Sequence, residues 1–106
     1  MTEQIYTMSS AEKHVIEPVI KDENLHYMHM VLKNGEALPV HTTNATVYMT
    51  VVQGNMTLRL NGEAPAEYKE RTVLKIPLGV KMDAKNLNAE TLELFVVKAP
   101  APSSGA

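Results

Sequence analysis

Residues 47–62 read VYMTVVQGNMTLRLNG, and the alternation inside that stretch decides the fold class. Val47 to Val52 is a run of β-branched, aromatic and long apolar side chains that stops at Gln53-Gly54. Beyond the glycine, Met56, Leu58 and Leu60 alternate with Thr57, Arg59 and Asn61. A period of two belongs to a strand with one face on a core. The run closes on Asn61-Gly62, a strong hairpin signal because both residues tolerate the positive φ of a tight turn. The same pattern recurs on either side. His26 to Leu32 is apolar on both alternating sets, which suits a strand covered on both faces. Val73 to Ile76 is stopped by Pro77-Leu78-Gly79, and Thr91 to Lys98 sets Leu92, Leu94 and Val96 against Glu93, Phe95 and Val97. Short strands punctuated by Gly35, Gly54, Gly62 and Gly79 predict an all-β sandwich or barrel. Helix signal is confined to Ser9-Ser10-Ala11-Glu12, a capping box that predicts one short turn ahead of Pro18.

Composition limits the function classes. At 106 residues with 44% hydrophobic side chains the chain supports one domain with a real core. That domain is expected over residues 1–98, with N-terminal strands within 1–24, and residues 99–106 form a flexible tail rich in Pro, Ser and Gly. A net charge of −2 argues against nucleic acid as the partner. The absence of cysteine removes disulfides, thiolate metal sites and thiol nucleophiles. No apolar run approaches membrane-spanning length and no secretion signal opens the chain, so a cytoplasmic protein with no membrane contact is expected. His14 and His29 read as solvated or structural side chains, and the mixed charges of Glu63, Glu67, Lys69 and Glu70 as a solvated loop.

The spacing of the turn residues resembles the cupin family. Its first motif is glycine, five residues, histidine, one residue, histidine, three or four residues, glutamate, six residues, glycine. Gly35, His41 and Gly54 stand at those places, with Thr43 for the second histidine and Val47 for the glutamate. The second motif is glycine, five residues, proline, one residue, glycine, two residues, histidine, three residues, asparagine. Pro77, Gly79 and Asn86 match it, while Arg71 replaces the first glycine and Met82 the histidine. Six of ten positions agree in register across residues 26–98, with sixteen residues between the motifs. The resemblance implies a small antiparallel jelly-roll β-barrel. Arg71, in a glycine's place, marks either a strained turn or a turn of another type.

The resemblance also implies a site. Typical cupins hold one divalent metal on the three histidines and the glutamate, and this chain keeps only His41 of the four. The expected outcome is a barrel mouth without the usual metal, lined by His41, Thr43, Val47, Met49, Met82 and Asn86, that binds a small molecule. No cofactor is expected on that reading. The alternative is a metal-dependent cupin enzyme of oxygenase or isomerase type. It would hold one transition metal, a soft Cu-like ion or Zn, Ni or Fe, at His41 with a rebuilt set of Met82, His26 and Met30. Tyr27, Tyr48, Val52, Phe95 and Val97 fall on faces opposite the interior, and so much outward apolar surface predicts a two-fold homodimer.

Overall fold

The computed structural model describes residues 2–102, which form nine strands and no helix. In chain order these are β1 Val15–Lys21, β2 His26–Lys33, β3 His41–Thr42, β4 Val47–Gln53, β5 Asn55–Leu60, β6 Ala66–Lys69, β7 Val73–Ile76, β8 Lys81–Lys85 and β9 Thr91–Lys98. One sheet has the order β1-β2-β9-β4-β7 and the other β3-β8-β5-β6, with every ladder antiparallel. The all-β jelly-roll expectation holds. The strands expected at 73–76 and 91–98 stand at those limits, and those from His26, Val47 and Met56 differ from expectation by at most one residue at an end.

Alternation builds the interior. Met30 and Leu32 from β2, Val47, Met49 and Val51 from β4, and Leu92, Leu94 and Val96 from β9 meet Met56 and Leu58 from β5 and Met82 and Ala84 from β8 in one cluster. Four of these are methionines, whose unbranched thioethers fill an irregular space that a single phenylalanine cannot.

The turns explain the motif residues. Asn61 (φ 52°) and Gly62 (φ 71°) both adopt left-handed backbone, and Glu63 N–H donates to Leu60 C=O at 3.0 Å, the type I′ geometry that dipeptide favours. Gly54 is required twice over. Its φ is +89°, and a Cβ there would lie 2.2 Å from the Thr91 carbonyl oxygen at the start of β9. Arg71 takes φ 75°, so the turn keeps a glycine's conformation under a side chain.

Three local readings change. Ser9-Ser10-Ala11-Glu12 caps no helix: the Ser9 N–H and hydroxyl both donate to Glu17, at 2.9 Å each, which holds the N-terminal arm extended against β1. The charged stretch after Gly62 contains β6, paired to β5 from Asn55–Lys69 to Leu58–Ala66. β8 is a further strand, its Lys81, Asp83 and Lys85 turned outward while Met82 and Ala84 enter the core. Within 2–24 the one strand is β1, an edge strand that carries Pro18 next to a register shift, where a missing N–H is tolerated. Beyond β9, Ala99 N–H donates to Thr46 C=O and Ala101 N–H to Asn24 C=O, and residues 103–106 of the expected flexible tail lie outside the described residues.

Gly54→Ala is expected to lose more than about 3 kcal/mol, since the clash is with backbone and adds to the unfavourable φ. Arg71→Gly is expected to gain up to about 1 kcal/mol, because it relieves left-handed strain at a modest entropic cost. Urea unfolding of both variants checks the pair.

Candidate functional site

Directly opposed residues of an antiparallel ladder project to the same face, so the registers place each candidate side chain in a row. At one end of the five-stranded sheet, His26, Lys98, Val47 and Ile76 share the inward row. Met28, Val96, Met49 and Leu74 form the next row, and Met30, Leu94 and Val51 the one below. On the facing sheet, His41 pairs with Met82, which pairs with Leu60. The loop that follows β3 closes this end: Thr43 N–H donates to Val80 C=O, and Gly79 N–H donates to Thr43 C=O. His41 and Met82 therefore share one row and His26 and Val47 another, at the same end of the barrel.

The mouth is not what the motif alone suggests. His41 is exposed, and its Nδ1 lies 3.1 Å from the Pro39 carbonyl oxygen, an acceptor that makes that nitrogen the donor. Thr43 is buried and committed: its hydroxyl donates to Pro77 C=O at 2.8 Å and accepts from Val80 N–H at 2.9 Å. Val47, Met49 and Met82 are core side chains, so they floor the mouth and do not line an open cavity. Met30 sits four residues down β2 from His26, roughly 13 Å along the strand, and packs in the cluster. Asn86 is at the far end of the barrel. Its Nδ2 donates to Leu32 C=O and its Oδ1 accepts from Ala89 N–H, so it ties β2 to the turn before β9 and does not reach the mouth. Of the rebuilt metal set, then, the structure brings His41, Met82 and His26 to one end and leaves Met30 in the core.

A second cluster lies on the outer face of the five-stranded sheet. His29 is completely buried, with Nδ1 2.7 Å from Glu17 Oε2 and Nε2 2.7 Å from Glu93 Oε2. Carboxylates only accept, so the ring donates from both nitrogens and is an imidazolium. Burial alone would push its pKa down, but the hydrogen bonds to Glu17 and Glu93 and their charges outweigh that and hold it above 6.5. The His29 hydrogen bond and the two Ser9 donors pull the Glu17 pKa below 4.5. His14, by contrast, is exposed and meets Glu36 at 3.1 Å. Glu36 is held below the ordinary carboxylate range by the Lys33 N–H at 2.6 Å, with the His14 contact adding to it. The structural part expected of His29 came without its partners, which lie 12 and 64 residues away.

No family model matches the chain. A protein of Methanocaldococcus jannaschii described as uncharacterized is 39% identical over 103 residues, covering 96% of this chain and 89% of that one. A crystal structure from the same organism, described as an RmlC-like cupin family protein with a double-stranded β-helix fold, superposes with a TM-score of 0.91 at 39% identity over 94% of this chain and 93% of that one. The chain is an RmlC-like cupin. A Thermus thermophilus protein superposes on this cupin with a TM-score of 0.73 at 27% identity, with 91% of each chain covered. The cupin domain of Schizosaccharomyces pombe Cnp3 shares the fold at 20% identity, TM-score 0.72, over 79% of this chain and 62% of that one.

Measured against its family, this cupin has a poor donor set for the customary metal. Of the four ligand positions only His41 offers imidazole; Thr43 is consumed by backbone, Val47 offers no donor and Met82 is a buried thioether. Among the described residues no three His, Asp or Glu side chains converge to hold an ion.

The His29 cluster is expected to give this cupin a stability optimum in pH. A folded imidazole pKa above 6.5 contributes stability that is complete below 6.5 and lost as pH rises through the folded value. A folded Glu17 pKa below 4.5 contributes stability that is present above 4.5 and lost as pH falls through the folded value. Thermal unfolding is expected to peak between these limits. His29→Gln is expected to lower the melting temperature at pH 6 and to flatten the decline between pH 7 and pH 9.

Proposed function

We propose that this cupin is a metal-independent small-molecule-binding protein of the cytoplasm, with the ligand at the barrel mouth and His41 as its principal polar contact. The observation that carries this reading is the exposed His41 imidazole, oriented by Pro39, set beside a floor of Met82 and Leu60. A directional polar group set over apolar side chains supplies two of the elements that small-ligand sites combine. Exposed Leu78, next to the Gly79 that bonds Thr43, gives the mouth an apolar rim. The fold does not choose among functions, so these side chains carry the reading.

The same reading takes the protein as a homodimer. Tyr27, Val97 and Tyr48 form one outward row of the five-stranded sheet, and Phe95, Thr50 and Val73 join the next. Tyr48 and Val73 are exposed on it, as are Ile5, Tyr6 and Met8 along the N-terminal arm. Apolar surface of that extent is covered by a second copy in many small barrels.

The test is a titration followed by amide shifts, with protein stripped by chelator and a panel of small aromatic and aliphatic acids. The expected result is a response centred on His41, Met82 and Leu60 that survives the chelator and weakens at least tenfold in His41→Ala. Loss of binding on chelation, restored by a transition metal, would overturn the metal-independent reading. A sedimentation mass of one chain at micromolar concentration would overturn the dimer.

A further inference from the structure

The outer face of the four-stranded sheet carries a second candidate site, independent of the barrel mouth. Arg59 on β5 is directly opposite Asp83 on β8, and Thr57 is opposite Lys85 on one side and Glu67 of β6 on the other. Two cavities flank the Arg59–Asp83 pair. One, of about 100 Å³, is lined by Thr57, Arg59, Pro65, Asp83, Lys85 and Leu87. The other, of about 170 Å³, is lined by Val40, Arg59, Gly62, Lys81 and Asp83. Together they make one groove that crosses β5 and β8 away from the barrel interior.

Two features mark this groove as more than a solvated sheet face. Asn55 Oδ1, Thr57 Oγ1 and Asp83 Oδ1 are buried without a hydrogen-bond partner among the described residues, and all three residues stand on this outer face. A buried oxygen left unpaired costs free energy, and two of the three belong to Thr57 and Asp83, which line the smaller cavity. The second feature is charge. Arg59, Lys69, Lys81 and Lys85 stand on this face against Asp83 and Glu67, so it is positive on a chain whose net charge is −2. The closest ion pair, Lys85 to Asp83, is 3.9 Å long, and Glu67 is already engaged by Asn88. Arg59 and Lys81 side chains form no ion pair or hydrogen bond among the described residues. The guanidinium is free to take a carboxylate or phosphate by two parallel bonds.

We propose that this groove binds a small hydroxylated anion, whose carboxylate or phosphate is held by Arg59 with Lys81 or Lys85 and whose hydroxyls donate to the Asp83 carboxylate. The volumes admit a molecule of about ten non-hydrogen atoms. The anion answers Arg59 and Lys81, which have no partner among the described residues, and the hydroxyls bring donors to Asp83, which lines both cavities and has only Lys85, 3.9 Å away, as a counter-charge. A simple anion answers only the first and a neutral polyol only the second.

The test uses the full chain, with glycerol 3-phosphate and glycerate as the hydroxylated phosphate and carboxylate, and sulfate and glycerol as partial mimics, read by amide shifts in low salt. Either hydroxylated anion is expected to shift Thr57, Arg59, Asp83 and Lys85, and whichever binds more tightly assigns the acid group. Sulfate is expected to bind at the same residues at least fivefold more weakly, and glycerol not at all. Arg59→Gln is expected to weaken every anion about tenfold. Asp83→Asn is expected to weaken the hydroxylated anion about fivefold and leave sulfate no weaker, in a protein that melts no lower than the parent. Lys85→Gln repeats the anion test should Arg59→Gln unfold. The proposal is overturned if neither hydroxylated anion shifts these amides at 10 mM, if the shifts centre on His41, or if Asp83→Asn treats sulfate and the hydroxylated anion alike. A response at His41 alone would leave the mouth reading standing and remove this one.

Discussion

The register of β2, β9 and β4 is the constraint on which everything else in this cupin depends. These strands pair residue by residue, so Leu32 meets Leu92, Met30 meets Leu94 and Leu94 meets Val51 along the inward rows. A slip of one residue would send Glu93, Phe95 and Val97 inward and expose Leu94 and Val96, a loss of several buried side chains worth roughly 1.5–3 kcal/mol each. Gly54 secures that register at one end, because the chain turns there against the Thr91 backbone with no room for a side chain. Asn86 helps at the same end through its bond to Leu32 C=O.

The register that fills the interior also dictates the chemistry outside it. Once Met28 and Met30 point inward, His29 must point outward, between Glu17 on β1 and Glu93 on β9. A single imidazolium then bridges three strands and, through Ser9 and Glu17, holds the N-terminal arm. On the other sheet the same alternation sends Met82 and Ala84 inward and turns Asp83 with its flanking lysines outward. Outward polar residues of a barrel are ordinarily hydrated, so the buried, unpartnered oxygens of Asn55, Thr57 and Asp83 stand out against that background.

Much of this was legible in the sequence where a residue's conformation is set locally. The Asn61-Gly62 turn, the strands with clean alternation and the glycine at 54 could be read because each depends on neighbours in the chain. β6 and β8 were not legible, because AEYK and KMDAK carry too few apolar residues to announce a strand and are held by partners distant in sequence. The site was legible in part. His41 and Met82 do meet, since motif spacing encodes that pairing. Thr43 stands in the second histidine's place and Asn86 matches its motif position, yet both spend their polar atoms on backbone, a commitment that spacing cannot reveal. The partners of His29 and the groove beside Arg59 arise only from cross-strand register, which no local pattern displays.

A barrel mouth that binds its ligand without the family's metal must also be free of that metal as the protein is made. Elemental analysis of tag-free protein, purified without chelators, reads this out. Far less than one transition metal per chain, unchanged in His41→Ala, is the predicted result. A content near one per chain that disappears in His41→Ala would contradict it.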